Sequence, residues 1–250
     1  MENENRYCKF ALLSLAKPFS GKGVAKTFQN LQWWHDPVER TGPANMAIDE
    51  WLLESAMIPT LRVYRWEPGW GSLGYFIPHK EAAEAFPELH WVRRWTGGGT
   101  VDHQDDWTYT LVVPQGETLA ETRGAESYSL IHEVLARVLG MEGRRAHLTG
   151  GKGRDVYLPC FLNPVSHDLV DDKGSKIAGA GQRRSRRGLL HQGSVSQNPG
   201  LKQSKLRTER LAAALAAEPF ETQLPPPWLG EDEISRLSRR YESTEWTHRR

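Results

Sequence analysis

Cys160 and Lys176 are the residues of this chain whose chemistry is most readily put to use. A thiolate is a strong nucleophile; a nearby cation lowers a thiol's pKa and can hold a carbonyl oxygen as it becomes an oxyanion. Cys160 lies in Leu158-Pro159-Cys160-Phe161-Leu162, apolar surroundings that more often bury an inert thiol than arm a nucleophile. His103, His167 and His191 could each act as a base, but such a triad is recognised by geometry and not by order along the chain. His132 and His147 show no metal-ligand spacing with any partner, and Cys8 and Cys160 are far apart, so neither a metal site nor a disulfide is expected.

A second feature is the glycine run in Arg93-Arg94-Trp95-Thr96-Gly97-Gly98-Gly99-Thr100-Val101-Asp102-His103. Consecutive glycines weaken a strand and permit close backbone approach, so the run reads as a turn or as a loop against a phosphate or carboxylate. The third is the basic stretch Gln182-Arg183-Arg184-Ser185-Arg186-Arg187. It reads either as a solvated turn on a protruding hairpin or as a docking patch in which Arg183, Arg184, Arg186 and Arg187 meet an acidic partner.

The elements that position these residues follow from periodicity. Residues 1–30 are polar with turn signals and read as a lead-in, and residues 31–250 as one domain. Leu31–His35, Thr60–Trp66, Ser72–Phe76, Trp91–Arg93, Trp107–Val113 and Leu189–Val195 read as strands. Asp168–Val170 and Lys176–Gly179 form a hairpin turned by Asp171-Asp172-Lys173-Gly174. Helices are expected after Thr41-Gly42-Pro43, over Lys80–Ala85, over Ala125–Leu139, and at Ser204–Glu218 and Glu231–Tyr241, the last two packed on the domain. Mostly short links between strands predict antiparallel or mixed sheets with helices outside, an α+β domain.

The 250 residues carry a formal charge of +1 with histidines neutral, which excludes a protein that chiefly coats nucleic acid or an anionic membrane. No apolar run approaches the ~20 residues needed to span a bilayer. A soluble, cytoplasmic protein is expected. Most of the 10 tryptophans read as core.

These residues resemble the lipoate–protein ligase and octanoyltransferase family, within the biotin and lipoate ligase superfamily. Four segments carry the resemblance: Asn45–Glu50; Leu61–Trp66 with Ser72–Phe76; Arg93–Gly99 with Val101 and His103; and Gly174–Gln182 with His191–Ser194. The resemblance implies an acyl channel between sheet and loops. Arg93, Thr96, Gly97, Gly98 and Gly99 would bind substrate there, together with Tyr75, His103 and Gly179. Lys176 would contact the acyl carbonyl.

Two chemistries run on this fold. Cys160-Phe161, Pro164 and Asp168-Leu169-Val170 resemble the segment of transferases that move octanoyl from acyl carrier protein through a cysteine thioester, without a cofactor. Gly74-Tyr75-Phe76 and the residues after His103 also depart from the ligase pattern. Gly99 runs the other way, since cysteine-dependent transferases often carry arginine there. The resemblance implies lipoyl carrier domains, such as the glycine cleavage H protein and 2-oxoacid dehydrogenase E2, as acceptors. The alternative is a ligase using ATP and Mg through an acyl-adenylate; a second alternative is a non-catalytic acyl-binding protein. Biotin ligases carry a different glycine loop.

Overall fold

The computed structural model of the protein describes residues 26–150, 164–222 and 230–249. Its strands and helices, in order, are β1 (Phe28–Arg40), α1 (Gly42–Ser55), β2 (Thr60–Trp66), β3 (Trp70–Leu73), α2 (His79–Ala85), β4 (His90–Arg93), β5 (Thr100–Asp102), β6 (Asp106–Pro114), α3 (Thr118–Glu121), α4 (Gly124–Met141), β7 (His147–Leu148), β8 (Leu169–Val170), β9 (Lys176–Ser185), β10 (Gly188–Ser196), α5 (Leu201–Leu215), β11 (Ala216–Glu221), α6 (Glu231–Glu242) and α7 (Thr244–Thr247).

An eight-stranded sheet runs in the order β11-β1-β2-β6-β10-β9-β8-β7, and a three-stranded sheet in the order β4-β3-β5. β1 pairs in parallel with β11 and β2; from β2 onward every neighbour is antiparallel. The α+β architecture with a mixed sheet is the one the short strand links imply.

Strand β6 is buried on both faces, and its period of two separates two cores. Trp107, Tyr109, Leu111 and Val113 meet Ile131, Val134, Leu135 and Val138 of α4, together with Leu211 and Leu215 of α5. On the opposite face Val112 joins Leu190, with Ile48, Leu52 and Leu53 of α1 and Ile234 of α6. α1 starts where the sequence signals it: the Thr41 side chain caps the Ala44 N–H, and Pro43 occupies the first turn, where no donor is missed.

Three expectations need correction. The fold begins before residue 31, because Phe28 is buried and pairs with Ala216. The helix expected to reach Glu218 stops at Leu215, and Ala216–Glu221 forms a parallel edge strand beside β1. Helix propensity in that alanine-rich stretch yields to sheet pairing, a tertiary effect. Finally, Gln182–Ser185 do not protrude from the sheet but are part of β9, paired with Gly188–His191 of β10.

Candidate active site

A cavity enclosing about 430 Å³ of empty space, its open mouth included, lies between the large sheet and the strands that flank the glycine loop. Tyr64, Trp66, Thr108, Gln192 and Ser194 supply one wall. Lys176 with Gly179, Ala180 and Gly181 form another, and Arg94, Val101 and His103 close it. Close approach of backbone requires the glycine at 181, and the glycine at 179 leaves room for the end of the Lys176 side chain. A Cβ on Gly181 would strike the Gly97 carbonyl and the Thr96 hydroxyl, and one on Gly179 would lie 2.5 Å from Lys176 Cε and 2.6 Å from Nζ.

Lys176 Nζ is ion-paired with Asp168 Oδ2 at 2.7 Å, both side chains almost wholly buried. The β8–β9 hairpin brings them together, and the carboxylate is further held by the Tyr128 hydroxyl (2.5 Å to Oδ1) and the Val165 N–H (2.7 Å to Oδ2). Tyr128 in turn accepts from the Ala180 N–H. The result is a fixed ammonium at the cavity wall, a group able to hold a carbonyl oxygen, whereas the Arg94 guanidinium that also lines the cavity is bonded to Ser72 and to the Gly97 and Gly99 carbonyls.

His103 lines the cavity, but both ring nitrogens are engaged. Nδ1 donates to Asp106 Oδ2 at 2.8 Å, and Nε2 lies 2.6 Å from the Ser72 hydroxyl. The ring stacks on Trp66 with centroids 3.8 Å apart. Ser72 Oγ accepts from Arg94 Nη1 (2.6 Å), and Arg94 Nη2 donates to the Gly97 and Gly99 carbonyls. His103 thus sits in a chain Asp106–His103–Ser72–Arg94 that shapes the glycine loop.

The loop itself is fastened at several points. Gly98 adopts φ +92°, and the Gly74 N–H donates to Gly99 O. Thr96 Oγ1 donates to Gln192 Oε1 at 2.7 Å. Gln192 Nε2 donates to Asp49, which also accepts from Tyr64, Thr110 and Arg62. Burial penalises the Arg62 charge, but Asp49 and Asp36 more than offset that, so its pKa is raised.

The expected site residues divide. Lys176, Gly179 and His103 line the cavity, and Thr96 backs it through Gln192. Gly97 and Gly99 present carbonyls to Arg94, and the Gly98 carbonyl lies where a Cβ on Gly74 would fall. Arg93 does not reach the cavity: its fully buried guanidinium donates to the carbonyls of Gly74, Tyr75, Ile77 and Thr247. Tyr75 lies on the outer side of the loop, beside Phe76 and Trp246. The arginine cluster is split by strand alternation: Arg183 stacks on Trp95, whereas Arg184 faces α4 and donates to Ser127. Arg187 pairs with Glu54, and Arg186 is exposed in the turn. Cys160 lies outside the described residues. Arg94, Gln192 and Asp106 were not singled out by sequence, although the Arg93-Arg94 pair was the signal for the first. Among the described residues no group of three or more His, Cys, Asp and Glu is disposed to hold a metal, and no helix is long and apolar enough to cross a membrane.

His167 and His191 are not cavity bases. His167 has φ +71° and gives its carbonyl to His132 Nδ1–H at 2.6 Å. His191 is buried between Tyr109 and Gln182. Burial lowers the His132 pKa to about 4 and the His191 pKa well below its usual value. Both are neutral in the folded protein near pH 7, whereas the unfolded chain takes up protons below about pH 6.5. Their stabilisation is therefore complete above that pH and is lost as pH falls toward 4. His132 alone is expected to cost about 2 kcal/mol by pH 5. Urea midpoints at pH 7 and pH 5 check this, and His132→Phe should shrink the difference.

The fold and site define an α+β domain of the lipoate-ligase type, with a buried lysine at the wall of a cavity behind a glycine loop. Residues 42–220 match the family model described as the lipoyl protein ligase A/B catalytic domain, and the chain belongs to that family. It is 35% identical over 162 residues to the octanoyltransferase LipM of Oceanobacillus iheyensis, covering 60% of this chain and 58% of that protein. It is 31% identical over 191 residues to the LipM of Staphylococcus epidermidis, covering 68% of this chain and 69% of that one. The chain thus spans about three fifths of the first of these relatives. Among solved structures, a lipoate protein ligase of T. acidophilum with bound lipoic acid superposes with a TM-score of 0.66 at 19% identity, covering 88% of this chain and 99% of that one. A lipoate-protein ligase A bound with ATP gives 0.61 at 19% identity, over 88% and 98%. At that identity these two report the fold.

Proposed function

We propose that the protein transfers an octanoyl group from acyl carrier protein to the lysine of a lipoyl carrier domain, the step that initiates protein lipoylation. The observation that carries this reading is the buried Lys176–Asp168 pair at the cavity wall. It supports acyl transfer because a fixed ammonium beside an apolar channel orients an acyl carbonyl and stabilises charge on its oxygen. The octanoyltransferase relatives support octanoyl as the group moved.

In the proposed mechanism the Cys160 thiolate attacks the octanoyl thioester, expelling the carrier thiolate and leaving octanoyl-Cys160. The acceptor lysine amine then attacks that thioester, forming the amide and releasing the Cys160 thiolate, the amine proton leaving to solvent or base. Five residues after Cys160 in the sequence, the Val165 N–H donates to Asp168, the partner of Lys176. Lys176 and the glycine-loop residues would act on the carbonyl.

One assay tests the reading: an apo lipoyl domain offered octanoyl-carrier protein, or free lipoate with Mg-ATP, with the wild type and Cys160→Ala. Transfer from the carrier without ATP, an octanoyl mass on the Cys160 peptide and loss of both in Cys160→Ala are expected. Transfer only from lipoate and ATP would establish the ligase reading, and no modification from either donor would leave acyl binding alone.

A further inference from the structure

Three arginines and three aromatic rings alternate around a closed ring on the outer side of the glycine loop. Arg183 stands over Tyr75 (5.3 Å) and Trp95 (4.6 Å). Arg240 stands over Trp95 (5.0 Å) and Trp246 (4.1 Å), and Arg249 over Trp246 (4.9 Å) and Tyr75 (4.8 Å). The members come from β9, the turn after β3, the glycine loop, and the C-terminal segment of α6 and α7. Arg240, Trp246 and Arg249 lie beyond the residues matched by the family model.

Glu50 neutralises Arg240 at 2.6 Å. Among the described residues no carboxylate pairs with Arg183 or Arg249, so both guanidiniums on the Tyr75 ring carry charge that no described side chain neutralises. The aromatic faces restrain the guanidiniums; Arg183 Nε is buried and its Nη1 is bonded to Trp95 O, whereas the exposed Arg249 leaves N–H edges for carboxylates, so little rotamer entropy remains to be lost on binding. Phe76, 66% exposed, packs edge-on against Tyr75 and adds an apolar contact. Arginine and aromatic residues around an apolar anchor are the composition of protein-interface hot spots. A small anion would need convergent donors and no apolar neighbour.

We propose that this ring of Arg183, Arg240 and Arg249 on Tyr75, Trp95 and Trp246 docks a carboxylate-rich face of the carrier protein that brings the acyl group. The proposal rests on the acyl-transfer reading for its choice of partner. The ring is tied to the loop between Arg94 and Val101, both of which line the cavity: the Tyr75 N–H donates to Thr96 O, and Arg183 Nη1 donates to Trp95 O. A partner seated there lies against the cavity's own loop. The docking surface is thus not the run Arg183–Arg187, whose members face different ways, but Arg183 joined to two arginines distant in sequence.

The test is binding of octanoyl-acyl carrier protein to the full chain at 50 and 300 mM NaCl, comparing wild type with Arg183→Glu/Arg249→Glu. A milder Arg183→Gln/Arg249→Gln pair and Phe76→Ser guard against misfolding, and octanoate binding serves as the control for an intact cavity. Wild-type affinity should fall at least tenfold between the two salts. The charge-reversed protein should bind at least tenfold more weakly at 50 mM, with little further salt dependence and unchanged octanoate affinity. Variant affinities within twofold of wild type, wild-type binding indifferent to salt, or displacement of the carrier by equimolar inorganic phosphate or duplex DNA would overturn the proposal. Unaltered transfer by the variants would refute the docking surface and leave acyl transfer standing. Ring-dependent carrier binding without any transfer would do the reverse.

Discussion

Replacing Lys176 with methionine is expected to lower octanoyl transfer about 10²–10³-fold, the loss typical when one preorganised donor to a developing oxyanion is removed. The expectation rests on position. Nζ is held at 2.7 Å from Asp168, buried at the cavity wall and closely bounded by Gly179. Gly179→Ala separates the effect of charge from that of placement. It keeps the ammonium, but its Cβ would lie 2.6 Å from Nζ and force it away, so much of the loss in kcat should follow. Octanoate should bind both variants more weakly than wild type but still measurably, because Tyr64, Trp66 and Val101 keep the apolar part of the wall. Steady-state transfer with octanoyl-carrier protein gives the kinetic readout, and full transfer by Lys176→Met would remove Lys176 from the mechanism. Asp168 keeps Tyr128 and the Val165 N–H as donors, which limits the accompanying loss of stability.

Arg62→Met is expected to be the most destabilising single change, about 3–5 kcal/mol, because it leaves buried carboxylates without their cation. Arg62 is fully buried; Nη2 donates to Asp36 and Asn45 at 2.9 and 2.8 Å, and Nη1 to Asp49 at 2.9 Å. Its guanidinium also lies over the Tyr64 ring at 4.1 Å. Domains of this kind have about 5–15 kcal/mol in all, so the variant would approach unfolding. The urea midpoint measures it. Arg62→Lys should recover only part, since a single ammonium cannot reproduce the forked geometry. The effect should also reach the site, because Asp49 holds Gln192 and Gln192 holds Thr96 of the glycine loop. A loss below about 1 kcal/mol would show that Asp36 and Asp49 find other partners.

Much of the framework was legible because short-range physics sets it. The Thr41 cap and Pro43 start α1, the Asp171–Gly174 turn closes the β8–β9 hairpin, alternation marks β2, and a run of aromatic and β-branched residues marks β6. Lys176 and Gly179 stood out through family resemblance, and the cavity includes both. Arg93 misled, because an arginine beside a glycine loop reads the same whether it faces a ligand or four backbone carbonyls. Ala216–Glu221 misled in another way: its partner β1 lies almost 190 residues earlier, and local propensity carries no information about that pairing.

The sequence by itself determined the α+β class, most element positions, the family and the lysine at the cavity wall. These depend on periodicity, caps, turns and motif order, which act over a few residues. Only the tertiary structure decided which charged groups face the cavity and which are buried in the frame. It joined Asp36, Asp49 and Arg62 into one buried network, and turned Arg183 toward Arg240 and Arg249 but Arg184 toward Ser127. Those outcomes depend on strand register and helix docking. A shift of one residue reverses the face in a strand and turns it by about 100° in a helix, and nothing local to the arginines records that choice.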